Sequence, residues 1–260
     1  MSQPSRTLVT GGTGTLGQAL LPRLLADGHT VRATSRAART GDDVEWVRME
    51  LESETGIRAA VDDVDVIVHT ATAPLGDTEA VDVEGTRRLL EAAAEADVEN
   101  FVYVSIVGID DIPYSYYEAK LDAERAIEAS EVPSTILRAT QFYPFVDELL
   151  EMVARLPVWP LPTRLRIQPV DTGPVADRLV DLATTEAGGR AAPVGGPEVR
   201  TVGELATAYR EARGRWRPIV RVPIPTATFA RFREGAATCP EHDVGSTTWE
   251  EWLETEYATG

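Results

Sequence analysis

The sequence predicts an α/β fold, a doubly wound parallel sheet with a small C-terminal helical appendage, on three observations. Short β-branched runs alternate with amphipathic helical stretches over the first 140 residues, a glycine-rich turn joins the first such pair, and the rhythm breaks after Arg138. With 260 residues, 43% of them hydrophobic and 26% charged, the chain can build a sizeable core without disulfides or metals. Strands are predicted at residues 7–10, 30–34, 44–48, 65–69, 101–105 and 134–137, where apolar and β-branched residues cluster. Helices are predicted at 16–26, 56–61, 79–96 and 116–130, and Asp27-Gly28 stops the first of them, since Gly28 can take the left-handed conformation. Pro157, Pro160, Pro162 and Pro169, set around Trp159, exclude a regular central strand or helix and predict an irregular segment over the ligand cleft. Helices at 174–184, 202–213, 225–235 and 247–257 make up the appendage, with Gly188-Gly189 and Gly195-Gly196 as loops inside it.

Composition narrows the function. Twenty-five basic residues against 42 acidic give a net charge of −17, which disfavours nucleic acid and anionic lipid as partners, because both require clustered basic charge. A single cysteine, Cys239, and three scattered histidines, His29, His69 and His242, argue against a disulfide framework and a metal site. The first residues lack the apolar core of a signal peptide and no apolar run is long enough to span a bilayer, so a cytoplasmic location is expected.

Thr10-Gly11-Gly12-Thr13-Gly14-Thr15-Leu16-Gly17 follows the first strand directly and opens the first helix. Gly11 permits the tight turn, Gly14 lets backbone N–H groups approach a pyrophosphate, and Gly17 lets helix pack on strand. This context marks a Rossmann-type dinucleotide site. The second strand ends in Thr34-Ser35-Arg36 with no acid to hold a ribose 2′-hydroxyl; Arg36 can instead pair with a 2′-phosphate and Ser35 can donate to it, so NADP(H) is expected over NAD(H). Residues 1–140 are read as the NAD(P)-binding domain, and residues 141–260 as a small substrate-binding region packed on the same unit.

Within Pro113-Tyr114-Ser115-Tyr116-Tyr117-Glu118-Ala119-Lys120, Ser115 and Glu118 read as a capping box that starts a helix at Tyr116. Tyr116 and Lys120 then share one helix face, and an ammonium beside a phenol favours the phenolate, as a proton donor to a carbonyl requires. Lys120 is the only lysine in the chain; the other 24 basic residues are arginine. Arginine could supply the charge but not a compact ammonium with three donors.

These features resemble the short-chain dehydrogenase/reductase superfamily, in its atypical, NmrA-like NAD(P)H-binding branch. The resemblance also rests on His69-Thr70-Ala71-Thr72, on Tyr103-Val104-Ser105-Ile106-Val107-Gly108, on Leu137-Arg138-Ala139-Thr140-Gln141-Phe142 and on Thr248-Trp249-Glu250-Glu251-Trp252-Leu253. It implies that Tyr116 donates a proton and that Lys120 holds the nicotinamide ribose. It further implies that Glu50, with Leu51 beside it, meets the adenine amino group, and that Thr70, Ala71 and Thr72 line the adenosine and ribose. The hydroxyl that assists the tyrosine falls either at Ser105 or at the next position, which here is Ile106; in the second case the oxyanion side lacks its usual donor. Asp82 stands where many relatives have asparagine. Gln141 and Phe142, after the sixth strand, are candidates to touch nicotinamide or substrate. His69, Trp249 and Trp252 read as packing residues, and Cys239 has no basic neighbour in sequence to activate it.

Two readings of function compete. One is an NADPH-dependent reductase acting on a small carbonyl or quinone, as a monomer or homodimer. The other is an NADP(H)-binding redox sensor that reports to a partner without turnover. A third, epimerase or dehydratase chemistry on a nucleotide sugar, shares the scaffold but is expected to need a larger substrate domain.

Overall fold

The computed structural model describes residues 5–258; residues 1–4, on which the reading of the chain start partly rests, lie outside it. The chain forms two compact units, one of Met1–Ser105, Ser115–Arg138 and Ala176–Ala192, the other of Ile106–Tyr114, Ala139–Val175 and Pro193–Gly260.

The first unit carries β1 (Arg6–Thr10), α1 (Thr15–Ala26), β2 (Thr30–Ser35), β3 (Val44–Arg48), α2 (Ile57–Val61), β4 (Val66–His69), a π-helical turn (Glu79–Glu84), α3 (Gly85–Glu95), β5 (Asn100–Ile106), α4 (Ser115–Ala129) and β6 (Ser134–Ala139). The sheet runs in the order β3-β2-β1-β4-β5-β6 with one further strand at its edge, and β1 pairs in parallel with both β2 and β4, Val9 facing Ala33 and Val68. Every residue of β4 is buried, as expected of a central strand with both faces covered. Leu8, Ile67, Leu89, Phe101, Ile127 and Ile136 belong to one continuous core. This is the doubly wound α/β architecture that the sequence predicts.

Three local features depart from the sequence reading. The helix expected over 79–96 opens as the π-helical turn before continuing as α3, and its Asp82 is turned inward, where it accepts a hydrogen bond from the backbone N–H of Ala73. α4 takes in Ser115 as its first residue, so Ser115 lies inside the helix and not at its cap. Gly189–Arg190 does not form an appendage loop: it is the edge strand of the sheet, paired in parallel with Thr135 and Ile136 of β6.

The second unit contains α5 (Tyr143–Ala154), β7 (Trp159–Leu161) and β8 (Arg166–Ile167). α5 was not expected from the rhythm, yet its buried residues Tyr143, Val146, Leu150 and Ala154 keep helical spacing and Pro144 sits in its first turn. α6 (Thr172–Ala183) and β9 (Gly189–Arg190, the edge strand just described) lead to β10 (Arg200–Thr201), α7 (Val202–Ala212), β11 (Ile219–Arg221), α8 (Ala227–Glu234) and α9 (Trp249–Tyr257). The proline-rich segment is ordered as two short strands, β7 beside β11 and β8 beside β10; a two-stranded ribbon tolerates Pro160 because one side of the strand needs no ladder donor. Capping boxes Thr201/Glu204 and Thr248/Glu251 start α7 and α9. Trp249 is buried, stacks on Trp252 at 5.3 Å between ring centroids and donates to the carbonyl of Leu205, so this pair anchors the local core. Cys239 is buried and its thiol is pushed up to about 11 by burial and Glu241, which disfavours the thiolate.

Candidate active site

The glycine-rich turn explains itself glycine by glycine. Gly11 has φ +67°, and a Cβ there would meet Ala71 Cα at 2.9 Å; a Cβ on Gly12 would meet Ala33 Cβ at 2.9 Å; one on Gly17 would lie 2.3 Å from the carbonyl oxygen of Gly11. Packing within the protein therefore accounts for these three. Gly14 differs. Its backbone is extended, φ −77° and ψ 171°, its surface is exposed, and a Cβ would meet only the Gly11 oxygen, at 3.3 Å. Packing constrains Gly14 far less than the other three, asking the Gly11 oxygen to give by only a few tenths of an ångström, and leaves its backbone open to a group outside the chain. α1 starts at this point with no side-chain cap and no acid in its first turn, which leaves its N–H groups and positive dipole end to an anion. Thr13 and Thr15 flank Gly14 at the surface, whereas Leu16 is buried and supports the helix from below. These residues fit a pyrophosphate.

Beyond β2, Ser35 is nearly buried and accepts a hydrogen bond from the N–H of Ala37, while Arg36 is exposed. The guanidinium of Arg39 lies 5.5 Å from the centre of the Trp46 ring. Arg36 and Arg39 thus follow the second strand, while the acids of this loop, Asp42 and Asp43, come only just before β3. After β3, Glu50 accepts from the Ser53 hydroxyl, and Leu51 is packed in the core against Gly85, so only the backbone of Leu51 is available to a ligand.

His69 closes β4. The Thr86 hydroxyl gives its proton to the carbonyl of Asp82 and must therefore accept from His69 Nε2–H at 3.1 Å; Nδ1 of His69 then accepts from Thr10 at 2.6 Å. Both nitrogens are engaged, and burial, with the Lys120 charge, lowers its pKa to about 3, so His69 is a neutral strut and not a base. Thr10 in turn receives the N–H groups of Thr70 and Ala71, and the Thr70 hydroxyl donates to the Thr10 carbonyl. These bonds fix the backbone of Thr70 and Ala71 beside the glycine turn.

Tyr116 is partly buried and its hydroxyl lies 2.8 Å from Thr72 Oγ1; Tyr117, one residue on, is buried in the core. Lys120 is 3% exposed, donates to the Val104 carbonyl at 2.9 Å and sits 4.1 Å from the centre of the Tyr103 ring. Burial lowers its pKa to about 8, with Asp82 and Glu124 acting against that shift. Ser105, on β5, is buried as Lys120 is. It is 1% exposed and faces the Glu124 carboxylate without closing a well-formed hydrogen bond. Burial raises the Glu124 pKa, but the hydrogen bonds and charge of Arg138 and Arg190 outweigh it and hold Glu124 below the usual carboxylate range. The side chain of Ile106 projects from the opposite face of β5, by strand alternation. In the second unit, both ends of the Gln141 amide are buried without a hydrogen-bond partner, and Phe142 is half-buried beside it.

Sequence reasoning passed over Thr72 and Asp82 as a pair. The signal was present, a hydroxyl after the His69 strand and an acid ahead of Gly85-Thr86, but only the π-helical turn brings them together. Among the described residues no group of three or more His, Cys, Asp or Glu could hold a metal, and no helix is long and apolar enough to cross a membrane.

Residues 11–145 match the model of a family described as NAD(P)H-binding. The chain is 25% identical over 229 residues to photosystem II assembly factor Ycf39 of Trieres chinensis, covering 84% of this chain and 72% of that protein. It is 35% identical over 156 residues to a 3 beta-hydroxysteroid dehydrogenase/Delta 5-->4-isomerase of Mycobacterium tuberculosis, covering 48% of this chain and 42% of that protein. MoeE5, solved in complex with UDP-glucuronic acid and NAD, superimposes with a TM-score of 0.78 at 22% identity, over 98% of this chain and 99% of that one. Size therefore does not separate this chain from proteins solved with nucleotide sugars, contrary to the expectation from its length.

Proposed function

The chain belongs to the family described as NAD(P)H-binding, and from that membership we propose that it is of the atypical short-chain dehydrogenase/reductase type, an NADPH-dependent oxidoreductase that reduces a small carbonyl or quinone. The observation that carries this reading is Tyr116, whose hydroxyl is held at a partly open position one helical turn from the buried Lys120. A bound nicotinamide supplies hydride. The residues of the chain do the rest. Gly11 to Gly17 and the start of α1 take the pyrophosphate; Thr70, Ala71 and Glu50 take the adenosine; Arg36, with Ser35, takes the 2′-phosphate. Lys120 holds the ribose with the donors that Val104 leaves to it, and Tyr116 gives its proton to the substrate oxygen. Gln141 carries an amide whose two buried ends suit a carboxamide, and Phe142 stands beside it. The expected setting is cytoplasmic, with a small molecule as partner and neither nucleic acid nor membrane.

The burial of Ser105 favours a second reading, an NADP(H)-binding sensor, because no serine hydroxyl then assists Tyr116 at the substrate. The resemblance to an assembly factor points the same way. NADPH consumption over quinones, aldehydes and ketones, measured beside calorimetric titration of NADPH and NADH, separates the two. The reductase reading expects Tyr116→Phe to keep NADPH affinity while turnover falls by about 10²–10⁴. It expects Arg36→Ala to weaken NADPH by about 1.5–3 kcal/mol and leave NADH nearly unchanged. Absence of turnover in the unmodified protein, with NADPH bound, selects the sensor.

A further inference from the structure

Tyr116 belongs to a hydrogen-bonded chain that ends on a buried acid. Its hydroxyl lies 2.8 Å from Thr72 Oγ1, and that oxygen lies 2.5 Å from Asp82 Oδ1. Asp82 is 1% exposed, Oδ2 accepts from the Ala73 N–H at 3.0 Å, and Lys120 Nζ stands 3.8 Å from Oδ1. The direction of this chain is fixed by proton counting. A carboxylate only accepts, so Thr72 must give its one proton to Asp82. Thr72 can then only accept from Tyr116, whose proton points along the chain toward Asp82. An asparagine at position 82 could offer an N–H to Thr72 and free that hydroxyl to donate to the phenol.

We propose that Asp82, acting through Thr72, is a positioning residue that sets the direction in which the Tyr116 hydroxyl donates and holds the phenol in its protonated form. The catalytic consequence rests on the reading of Tyr116 as proton donor; the coupling itself does not. Asp82 and Lys120 are two charges close to the phenol, and the other titratable groups described around it are otherwise engaged. His69 is neutral, Tyr103 is held well above its ordinary range by burial and neighbouring charge, and Glu124 is paired with Arg138 and Arg190. Glu84 of the π-helical turn is paired with Arg87, while Glu79 of that turn and Glu118 of α4 point to solvent.

The test is an ultraviolet titration of the ligand-free protein, with the phenolate band of Tyr116 isolated by subtracting the spectrum of Tyr116→Phe. Asp82→Asn should move the midpoint down by about one pH unit or more, the scale of a carboxylate charge at close range. In a Thr72→Val background the same change should move it by less than half as much. Thr72→Ser keeps the hydroxyl and should keep the original midpoint, whereas Thr72→Val should not, a comparison that remains decisive if Asp82→Asn does not fold. An unmoved or raised midpoint in Asp82→Asn, or equal midpoints in Thr72→Ser and Thr72→Val, overturns the proposal. A shifted midpoint without NADPH consumption in any variant would sink the reductase reading and leave the coupling standing. Consumption with an unshifted midpoint would do the reverse.

Discussion

Gly14 and Gly17 lie three residues apart and are constrained by the same Gly11 oxygen to very different degrees. At Gly17 the obstacle is the protein itself, a backbone oxygen 2.3 Å from where a Cβ would sit, and a backbone oxygen in a tight turn cannot yield cheaply. Gly17→Ala is expected to destabilise the ligand-free protein by about 1–3 kcal/mol, the usual range for overpacking, and to lower its melting temperature. At Gly14 a Cβ would press that same oxygen only at 3.3 Å, so Gly14→Val should lower the melting temperature less than Gly17→Ala does, yet lose dinucleotide binding in calorimetry because the side chain fills the place proposed for the pyrophosphate. Retained affinity in a folded Gly14→Val protein would show that the turn does not carry the phosphates. Spacing alone made the turn and the Tyr116/Lys120 pair legible, since both are local in sequence. It could not show that Ser105 is buried against Glu124, because that depends on which face of β5 the strand turns to α4.

Among the elements, most of the six predicted strands were legible because buried parallel strands are near-continuous apolar runs, while β3, nowhere fully buried, was legible from its β-branched and aromatic residues Val44, Trp46 and Val47. The edge strand Gly189–Arg190 was not, since two residues carry no pattern, and the π-helical turn was hidden inside an ordinary helical period. α5 carried a legible 3.6-residue spacing that the surrounding prolines masked. The junction of β1 and β4 makes its own prediction. His69 is buried and neutral, with a pKa lowered to about 3, whereas the unfolded chain takes up that proton near 6.5. Its contribution to stability is fully present above pH 6.5 and is lost as pH falls toward 3, at no more than about 1.4 kcal/mol per pH unit. Denaturant unfolding between about pH 5 and 6.5 should show a shallower loss in His69→Gln than in the parent, since glutamine takes up no proton in that window. Equal slopes would mean that His69 is not held neutral between Thr10 and Thr86.

For the whole molecule, 42 acids against 25 basic residues set two electrostatic effects in opposition. Exposed ion pairs such as Arg58–Glu95, Arg125–Asp122 and Arg231–Glu234 stabilise the fold, but each contributes only about 0–1 kcal/mol and loses part of that as salt screens it. The net charge of −17 repels itself across the folded surface and less so in the expanded chain, where the charges stand farther apart. Salt screens this repulsion as well, and with a Debye length falling from about 10 Å at 0.1 M to about 3 Å at 1 M it removes the long-range term more completely than the contacts at ion-pair distance. The buried pairs that order the site, Glu124 with Arg138 above all, are screened least. Repulsion therefore should lose more than attraction, and the melting temperature of the ligand-free protein is expected to rise as sodium chloride increases from about 0.1 M to 1 M. A melting temperature that falls over that range would show that the surface ion pairs, and not the excess of acids, dominate the electrostatics of the fold.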